Sequence, residues 1–129
     1  MREYAVDTQA LVRFMEGKSA SSSDIQGILE GADRGEYRII IPVIVLMEIL
    51  YLFEKQRITK NIFDIESLLS ISTNYRVAPL TLDILKTASA IADVPELHDR
   101  LIAATAAHLN IPLLTNDPVL IASQSVVTT

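Results

Sequence analysis

The chain has 129 residues, of which 50% are hydrophobic, so we expect one domain, residues 1–129, whose core is large enough to be stable without cross-links. It contains no cysteine, which excludes disulfides, thiolate zinc sites and cysteine nucleophiles. The net charge of −5 disfavours a general electrostatic nucleic-acid binder, although carboxylates that gather around a metal ion would make this sum misleading.

The beginning of the sequence, MREYAVD, carries charges and has no long apolar segment, so we expect that it is not a signal peptide. The most apolar stretch runs from Ile39 to Phe53 and contains Pro42 and Glu48. It is shorter than the roughly 20 residues that a helix needs to cross a bilayer. We therefore expect no contact with a membrane and a cytoplasmic protein.

Short apolar runs alternate with amphipathic segments, which predicts strands alternating with helices. The expected strands are residues 4–7, 38–41, 76–78 and 111–115, and residues 125–128 can form a fifth. The first expected helices are residues 8–16, a helix that Ser22 or Ser23 caps and Gly35 ends, and residues 43–55; a Gly/Ser-rich turn, 17–23, separates the first two. Further helices are expected over 62–69 and 82–91.

One more helix ends near Asn110, and its start has two interpretations. The sequence from Asp93 to Glu96 is typical of a helix start with a capping box, but the helix can also begin at His98. The whole alternation predicts an α/β fold in which helices flank a parallel sheet of four to five strands.

Four acidic residues stand at the edges of these apolar elements. Asp7 ends the first strand, Glu48 is the only charged residue between Ile39 and Phe53, Asp99 begins an apolar helix, and Asp117 follows the run IPLLTN. Ligand crevices of open α/β sheets lie beyond the carboxyl ends of the strands, so these acids are expected to converge there. Mg²⁺ and Mn²⁺ prefer oxygen ligands, and metal-assisted phosphodiester hydrolysis is the chemistry that such a cluster predicts.

Each acid also has a purely structural interpretation. Asp7 and Asp117 can be helix N-caps, and Asp99 can be a first-turn acid that the helix dipole favours. Glu48 can face solvent on an amphipathic helix, but its apolar neighbours favour a functional role because burying an unpaired carboxylate is costly.

Three segments, MREYAVDTQALVRFM, VIVLMEIL and LHDRLIAATAAHLNIPLLTND, resemble in order and spacing the PIN-domain family, and most closely its VapC-like toxin ribonucleases. The resemblance covers essentially the whole chain and implies a PIN-like three-layer sandwich. It implies that the catalytic and metal-binding pocket for Mg²⁺ or Mn²⁺ consists of Asp7, Glu48, Asp99 and Asp117. The supporting residues that we expect around these acids are Thr8, Thr115 and Asn116.

The same resemblance implies an RNA substrate, a homodimer and an antitoxin protein that occupies the site until it is released. Gln9 departs from the family pattern, which often has Asn or Ser two residues after the first Asp. Arg13 and Arg100 are the cations that we expect to contact phosphates. Lys55, Arg57 and Lys60 form a small basic cluster that we interpret as a solvated helix end, and His98 as a partly exposed residue at a helix start.

The leading hypothesis is therefore a metal-dependent endoribonuclease, the toxin of a type II toxin-antitoxin pair. An aspartyl-phosphate phosphatase usually has a second Asp two residues after the first, where this chain has Gln9. A receiver-type signalling domain has paired acids at the first strand and a lysine near the last, and neither is present. The alternative that stays open is a non-catalytic PIN-like module that binds RNA or protein.

Overall fold

The structure is a computed structural model that describes residues 1–18 and 22–129. Residues 19–21, in the middle of the predicted turn 17–23, lie outside the described residues. In the described part, Ser22 caps the second helix, because its hydroxyl accepts hydrogen bonds from the N–H groups of Asp24 and Ile25.

The strands form one parallel sheet in the order β3-β2-β1-β4. Tyr4 in β1 pairs with Ile39 in β2, and Ile39 is in turn the partner of Tyr75 in β3. The run Ile39–Ile41 is buried, as expected of a parallel strand that is covered on both faces. The bounds of the strands are β1 Arg2–Val6, β2 Tyr37–Pro42, β3 Tyr75–Ala78 and β4 Leu113–Leu114.

Helices connect and flank the strands, and their buried side chains complete one apolar core with the sheet. The expected α/β fold with a flanked parallel sheet is confirmed. In the described residues the helices are α1 Thr8–Met15, α2 Ser23–Asp33, α3 Val43–Glu54, α4 Ile62–Ile71, α5 Leu82–Ser89, α6 Leu97–Leu109 and α7 Pro118–Ala122. None of the helices in the described ranges is long and apolar enough to span a membrane.

Of the two predicted starts of α6, the structure agrees with the later one, near His98, and not with the capping box at Asp93. The helix begins at Leu97, and the carboxylate of Glu96 accepts a hydrogen bond of 2.6 Å from the N–H of Asp99. Asp93 accepts hydrogen bonds from the Ser123 hydroxyl (2.7 Å) and the Gln124 N–H (2.8 Å) instead. A partner about 30 residues along the chain therefore competes successfully with the local cap.

The predicted fifth strand at 125–128 is reduced to a single parallel bridge between Leu113 and Thr128 in the described chain. Leu113 donates its N–H to the carbonyl of Val127 and accepts from the N–H of Thr129. β4 itself has only 2 residues, so it offers too short an edge for a longer fifth strand.

The strand order places β1 between β2 and β4. The strands β2 and β3 follow on one side of β1, whereas β4 lies on its other side. Such a change of side opens a crevice at the carboxyl ends of β1 and β4, where α/β proteins bind ligands. Asp7 follows β1 and Thr115 follows β4, so both residues stand at this crevice.

Candidate active site

Asp7 lies at the centre of the crevice and is 7% exposed. Its N–H donates to the carbonyl of Leu114 across 3.1 Å, which fixes the residue to the end of β4. Oδ1 accepts a hydrogen bond of 2.9 Å from the N–H of Ala10, and Oδ2 accepts one from the hydroxyl of Thr115. Asp7 is thus the N-cap of α1 and also points its carboxylate at the site.

The environment of Asp7 disfavours its charged form. Burial raises the pKa of the carboxyl group, and the negative charges of Asp117 and Glu48 raise it further. The hydrogen bonds from Thr115 and Ala10 act in the opposite direction without cancelling the rise. A cation bound at this position would remove the repulsion.

Glu48 enters the site from the middle of α3. The side chain is 26% exposed, so it is only partly in contact with solvent. The hydroxyl of Thr8, the first residue of α1, donates a hydrogen bond of 2.5 Å to Oε1. Nδ1 of His98 lies 3.9 Å from Oε2, so α3 and the start of α6 meet at this carboxylate.

Asp99 lies in the first turn of α6, as its structural interpretation predicts, and also faces the other acids. Partial burial raises the pKa of its carboxyl group to about 6, with further contributions from the charges of Glu96, Asp117, Glu48 and Asp7. Repulsion from acids on four separate segments shows that the side chains share one electrostatic environment.

Thr115 links two of the acids. Its hydroxyl donates to Asp7 and accepts a hydrogen bond of 3.0 Å from the N–H of Asp117. The Asp117 carboxylate accepts a hydrogen bond of 2.8 Å from the N–H of Val119 and so caps α7. Thr115 is buried, at 2% exposure, and holds Asp7 and Asp117 from inside the protein. The Asp117 carboxylate lies at the surface of the crevice.

These side chains line an open cavity of about 760 Å³. The predicted site residues on its wall are Asp7, Thr8, Arg13, Glu48, Asp99, Asn116 and Asp117. Arg100 is not among the lining residues that the structure describes: its Nη2 donates to the carbonyl of Pro95 across 3.3 Å. Its buried Nε has no partner in the described chain.

The cavity also has a basic part that the sequence analysis did not assign to the site. Lys18 and Arg57 line it together with Glu16. The sequence does contain a signal for this part, since Lys18 follows the helix-ending Gly17 and Arg57 follows the end of α3. Nothing in the sequence alone places these two helix ends side by side.

The donor set of the cavity fits a hard divalent cation. Four carboxylates and the hydroxyl of Thr8 offer oxygen, and no cysteine competes. Within residues 1–18 and 22–129 no three acids or histidines are close enough together to ligate one ion directly. Mg²⁺ usually keeps several waters and takes only one or two carboxylates as direct ligands.

Comparisons with known proteins agree with this geometry. The family model described as PIN domain matches residues 4–122. No curated protein sequence matches the chain.

Solved structures with this fold come from toxin-antitoxin complexes. A chain of VapBC2 from Rickettsia felis, bound to a DNA fragment from their promoter, superposes with a TM-score of 0.72 at 18% identity, over 98% of this chain and 97% of that one. A chain of DNA-bound VapBC from Salmonella typhimurium superposes with a TM-score of 0.68 at 14% identity, over 100% of this chain and 98% of that one. A chain of a toxin-antitoxin complex from Klebsiella pneumoniae superposes with a TM-score of 0.66 at 18% identity, over 97% of this chain and 96% of that one.

Proposed function

We propose, from the premise that this chain belongs to the PIN domain family, that it is a Mg²⁺- or Mn²⁺-dependent endoribonuclease. The observation that carries the proposal is the meeting of Asp7, Glu48, Asp99 and Asp117 on the wall of one cavity. Burial, with a further contribution from mutual repulsion, raises the pKa of Asp7 and Asp99, so the cluster favours a bound cation.

The chain's own residues position the reaction. Thr115 and the N–H of Ala10 hold Asp7, while Thr8 orients Glu48. A divalent cation, when bound by these carboxylates, activates water and neutralises the charge of the phosphodiester. Asp99 is the acid that we assign to accept a proton from the attacking water, since its side chain lines the cavity and no described residue donates a hydrogen bond to its carboxylate.

The experiment that tests the function is an RNA cleavage assay with a mixed single-stranded pool. We expect the wild type to cut RNA in Mn²⁺ and to stop in excess EDTA, and Asp99→Asn to lose about 100-fold or more in rate. Single-stranded DNA of the same sequence is the substrate control. A wild type that is free of any bound inhibitor and cuts no RNA with Mg²⁺ or Mn²⁺ would favour the non-catalytic binding module.

Calorimetry tests the metal separately. Mn²⁺ is titrated into the wild type and into Asp7→Asn, which keeps the shape of the side chain and removes its charge. We expect weaker binding by about 10-fold or more in the variant, because Asp7 supplies a carboxylate at the centre of the site. Equal binding in both proteins would remove Asp7 from the metal site.

We further propose that the enzyme is the toxin of a toxin-antitoxin pair, that it acts in the cytoplasm and that it forms a homodimer. The antitoxin is supported by the similar chains, which come from a VapBC2 complex and a toxin-antitoxin complex. The homodimer is supported by large apolar side chains that α3 and the start of α4 leave exposed. They are Met47, Leu50, Tyr51, Phe53 and Phe63, and we call them the α3 patch.

A further inference from the structure

One wall of the cavity is formed by the C-terminal ends of α1 and α3 and carries no member of the acid cluster. It contains Glu16, Lys18, Arg57 and Ile58. α1 has 8 residues, so its two ends lie about 12 Å apart along the axis. The basic wall is therefore separated from Asp7 by about the length of that helix.

Lys18 and Arg57 occupy equivalent positions in the two helix ends. Each helix ends in a Schellman motif: the N–H of Lys18 bonds to the carbonyl of Arg13 and that of Arg57 bonds to the carbonyl of Leu52, both at 2.9 Å. The preceding residue has a positive φ in both cases, +74° at Gly17 and +58° at Gln56. The motif fixes the backbone of each cation, and both cations line the same cavity.

The two ends are joined by a hydrogen-bonded contact between segments distant in sequence. One carboxylate oxygen of Glu16, Oε2, accepts hydrogen bonds from the N–H of Thr59 (2.9 Å) and from its hydroxyl (2.8 Å). The Glu16 side chain is 10% exposed, and Oε1 lies 3.6 Å from Nζ of Lys18. These bonds lower the pKa of Glu16, as expected of a carboxylate that is held in its charged form.

Glu16 cannot itself attract a polyanion, because its charge has the wrong sign. Its effect on a nucleic acid is indirect, because it holds loop 55–61 through Thr59 and lies beside the ammonium group of Lys18. Arg57, two residues before Thr59, is exposed, and its guanidinium makes no hydrogen bond or ion pair with another described residue. It is available to a phosphate, which guanidinium groups bind well.

We infer that Lys18 and Arg57 bind phosphates of the RNA strand next to the scissile phosphodiester, and that Glu16 is a positioning residue that holds loop 55–61 for this purpose. The inference rests on the proposed ribonuclease function and names the part of the chain that binds the rest of the substrate. In this view the RNA is cut beside the four acids, and its neighbouring phosphates bind the wall at the C-terminal ends of α1 and α3, which we call the strand-binding wall.

Fluorescence anisotropy with a labelled single-stranded RNA tests the inference, in the Asp99→Asn background so that the strand stays intact. Arg57→Ala is compared with Lys60→Ala, which removes the same charge from the same loop but does not line the cavity. We expect Arg57→Ala to raise Kd about 3- to 10-fold and to reduce the slope of log Kd against log salt concentration by about 0.7. Lys60→Ala should stay within about 2-fold of the parent protein.

Glu16 gives a test whose sign separates positioning from simple electrostatics. Removal of a negative charge should tighten RNA binding if only the net charge matters. We expect the opposite for Glu16→Ala, a rise in Kd no larger than that for Arg57→Ala, because loop 55–61 loses the hydrogen bonds that hold Thr59. Glu16→Gln keeps an oxygen that accepts from Thr59 and should bind RNA at least as tightly as the parent. Thermal melts of each variant establish that it is folded.

The outcomes also separate this inference from the proposed function. If Arg57→Ala and Lys60→Ala have equal affinities, or if Glu16→Ala binds RNA as tightly as Glu16→Gln, the strand-binding wall is refuted. If the affinities follow the expected order but the wild type cuts no RNA in Mn²⁺, the wall stands and the ribonuclease proposal fails.

Discussion

The hydroxyl of Thr8 donates a hydrogen bond of 2.5 Å to Oε1 of Glu48, and this contact joins the first residue of α1 to the middle of α3. α3 is otherwise apolar on both sides of Glu48, so the polar contacts of this carboxylate come from other segments of the chain. Thr8 follows Asp7 directly. These two neighbours therefore contribute the Asp7 carboxylate to the site and orient the Glu48 carboxylate. The geometry of Glu48 is therefore coupled to the residue that caps α1.

Replacement of Thr8 by Val tests this coupling, because Val keeps the branched shape and lacks the donor. We expect cleavage of RNA in Mn²⁺ to fall about 10- to 100-fold, as for other residues that orient a metal-binding carboxylate. Thr8→Ser keeps the hydroxyl and should retain most of the activity. Equal rates for the Val and Ser variants would show that Glu48 is oriented without Thr8.

Glu48→Gln asks whether the charge itself is needed. The amide keeps an oxygen for the Thr8 hydroxyl but binds a cation poorly, so we expect activity to fall about 10- to 100-fold or more. Stability without metal should hold or improve, since a half-buried charge near other acids is removed. Activity equal to the wild type, with Asp7→Asn inactive beside it, would reduce the site to three acids.

The metal-free protein should become less stable as the pH rises from about 5.5 to about 7. The pKa of Asp99 is raised from 3.8 to about 6 in the folded state, so the folded state binds more protons in this window and loses that advantage above it. We expect the thermal midpoint in EDTA to be higher at pH 5.5 than at pH 7.5 by about 1–3 °C, a value reduced for solvent screening. The buried Asp7, whose pKa is also raised, acts in the same direction.

Two variants distinguish this effect from general charge repulsion. Asp99→Asn should raise the midpoint at pH 7.5 and reduce the difference between the two pH values. Glu66→Gln removes an exposed acid from α4, outside the cavity, and should leave the difference unchanged. A pH difference that is the same in Asp99→Asn and in the wild type would assign the effect to other groups.

The sequence predicts much of the fold because its signals are local. The run Ile39–Ile41 is apolar on both faces, as a central parallel strand requires, and Ser22 has the side chain of an N-cap. The approach of Asp7 and Asp117 follows from one further rule, that parallel strands end at the same edge of the sheet. The caps predicted for Asp7 and Asp117 exist, and both carboxylates also line the cavity.

The features that the sequence did not predict depend on partners distant along the chain. Asp93 has the sequence context of a cap, yet it bonds to Ser123 and Gln124 once the C-terminal segment packs beside it. Arg57 belongs to a basic cluster that is typical of a solvated helix end, but the hydrogen bonds from Thr59 to Glu16 join its loop to the end of α1. Local sequence patterns do not specify contacts between segments that are distant along the chain.

Gln56→Gly should stabilise the protein. Gln56 has φ of +58° at the position after the end of α3, where glycine is the usual residue because a Cβ is disfavoured there. We expect a gain of about 1 kcal/mol in the free energy of unfolding by urea denaturation. Gln56→Ala keeps the Cβ and is the control, which should show no such gain. A Gly variant no more stable than the Ala variant would mean that the turn at Gln56 is unstrained.

The α3 patch should hold two copies of the chain together. Met47, Leu50 and Tyr51 lie on one face of α3 and are 44%, 42% and 54% exposed, more apolar surface than one helix normally leaves in water. Sedimentation equilibrium at micromolar concentration should give about twice the chain mass of 14.2 kDa. Leu50→Glu puts a charge in the middle of the patch and should give the monomer mass.

Leu82→Glu is the matched control for that measurement, because Leu82 is an exposed leucine on α5 outside the patch, at 67% exposure. It should leave the mass of the dimer unchanged, since a charge there meets only water. A wild type with the mass of one chain would refute the homodimer. A dimer that Leu82→Glu dissociates while Leu50→Glu does not would move the interface from α3 to α5.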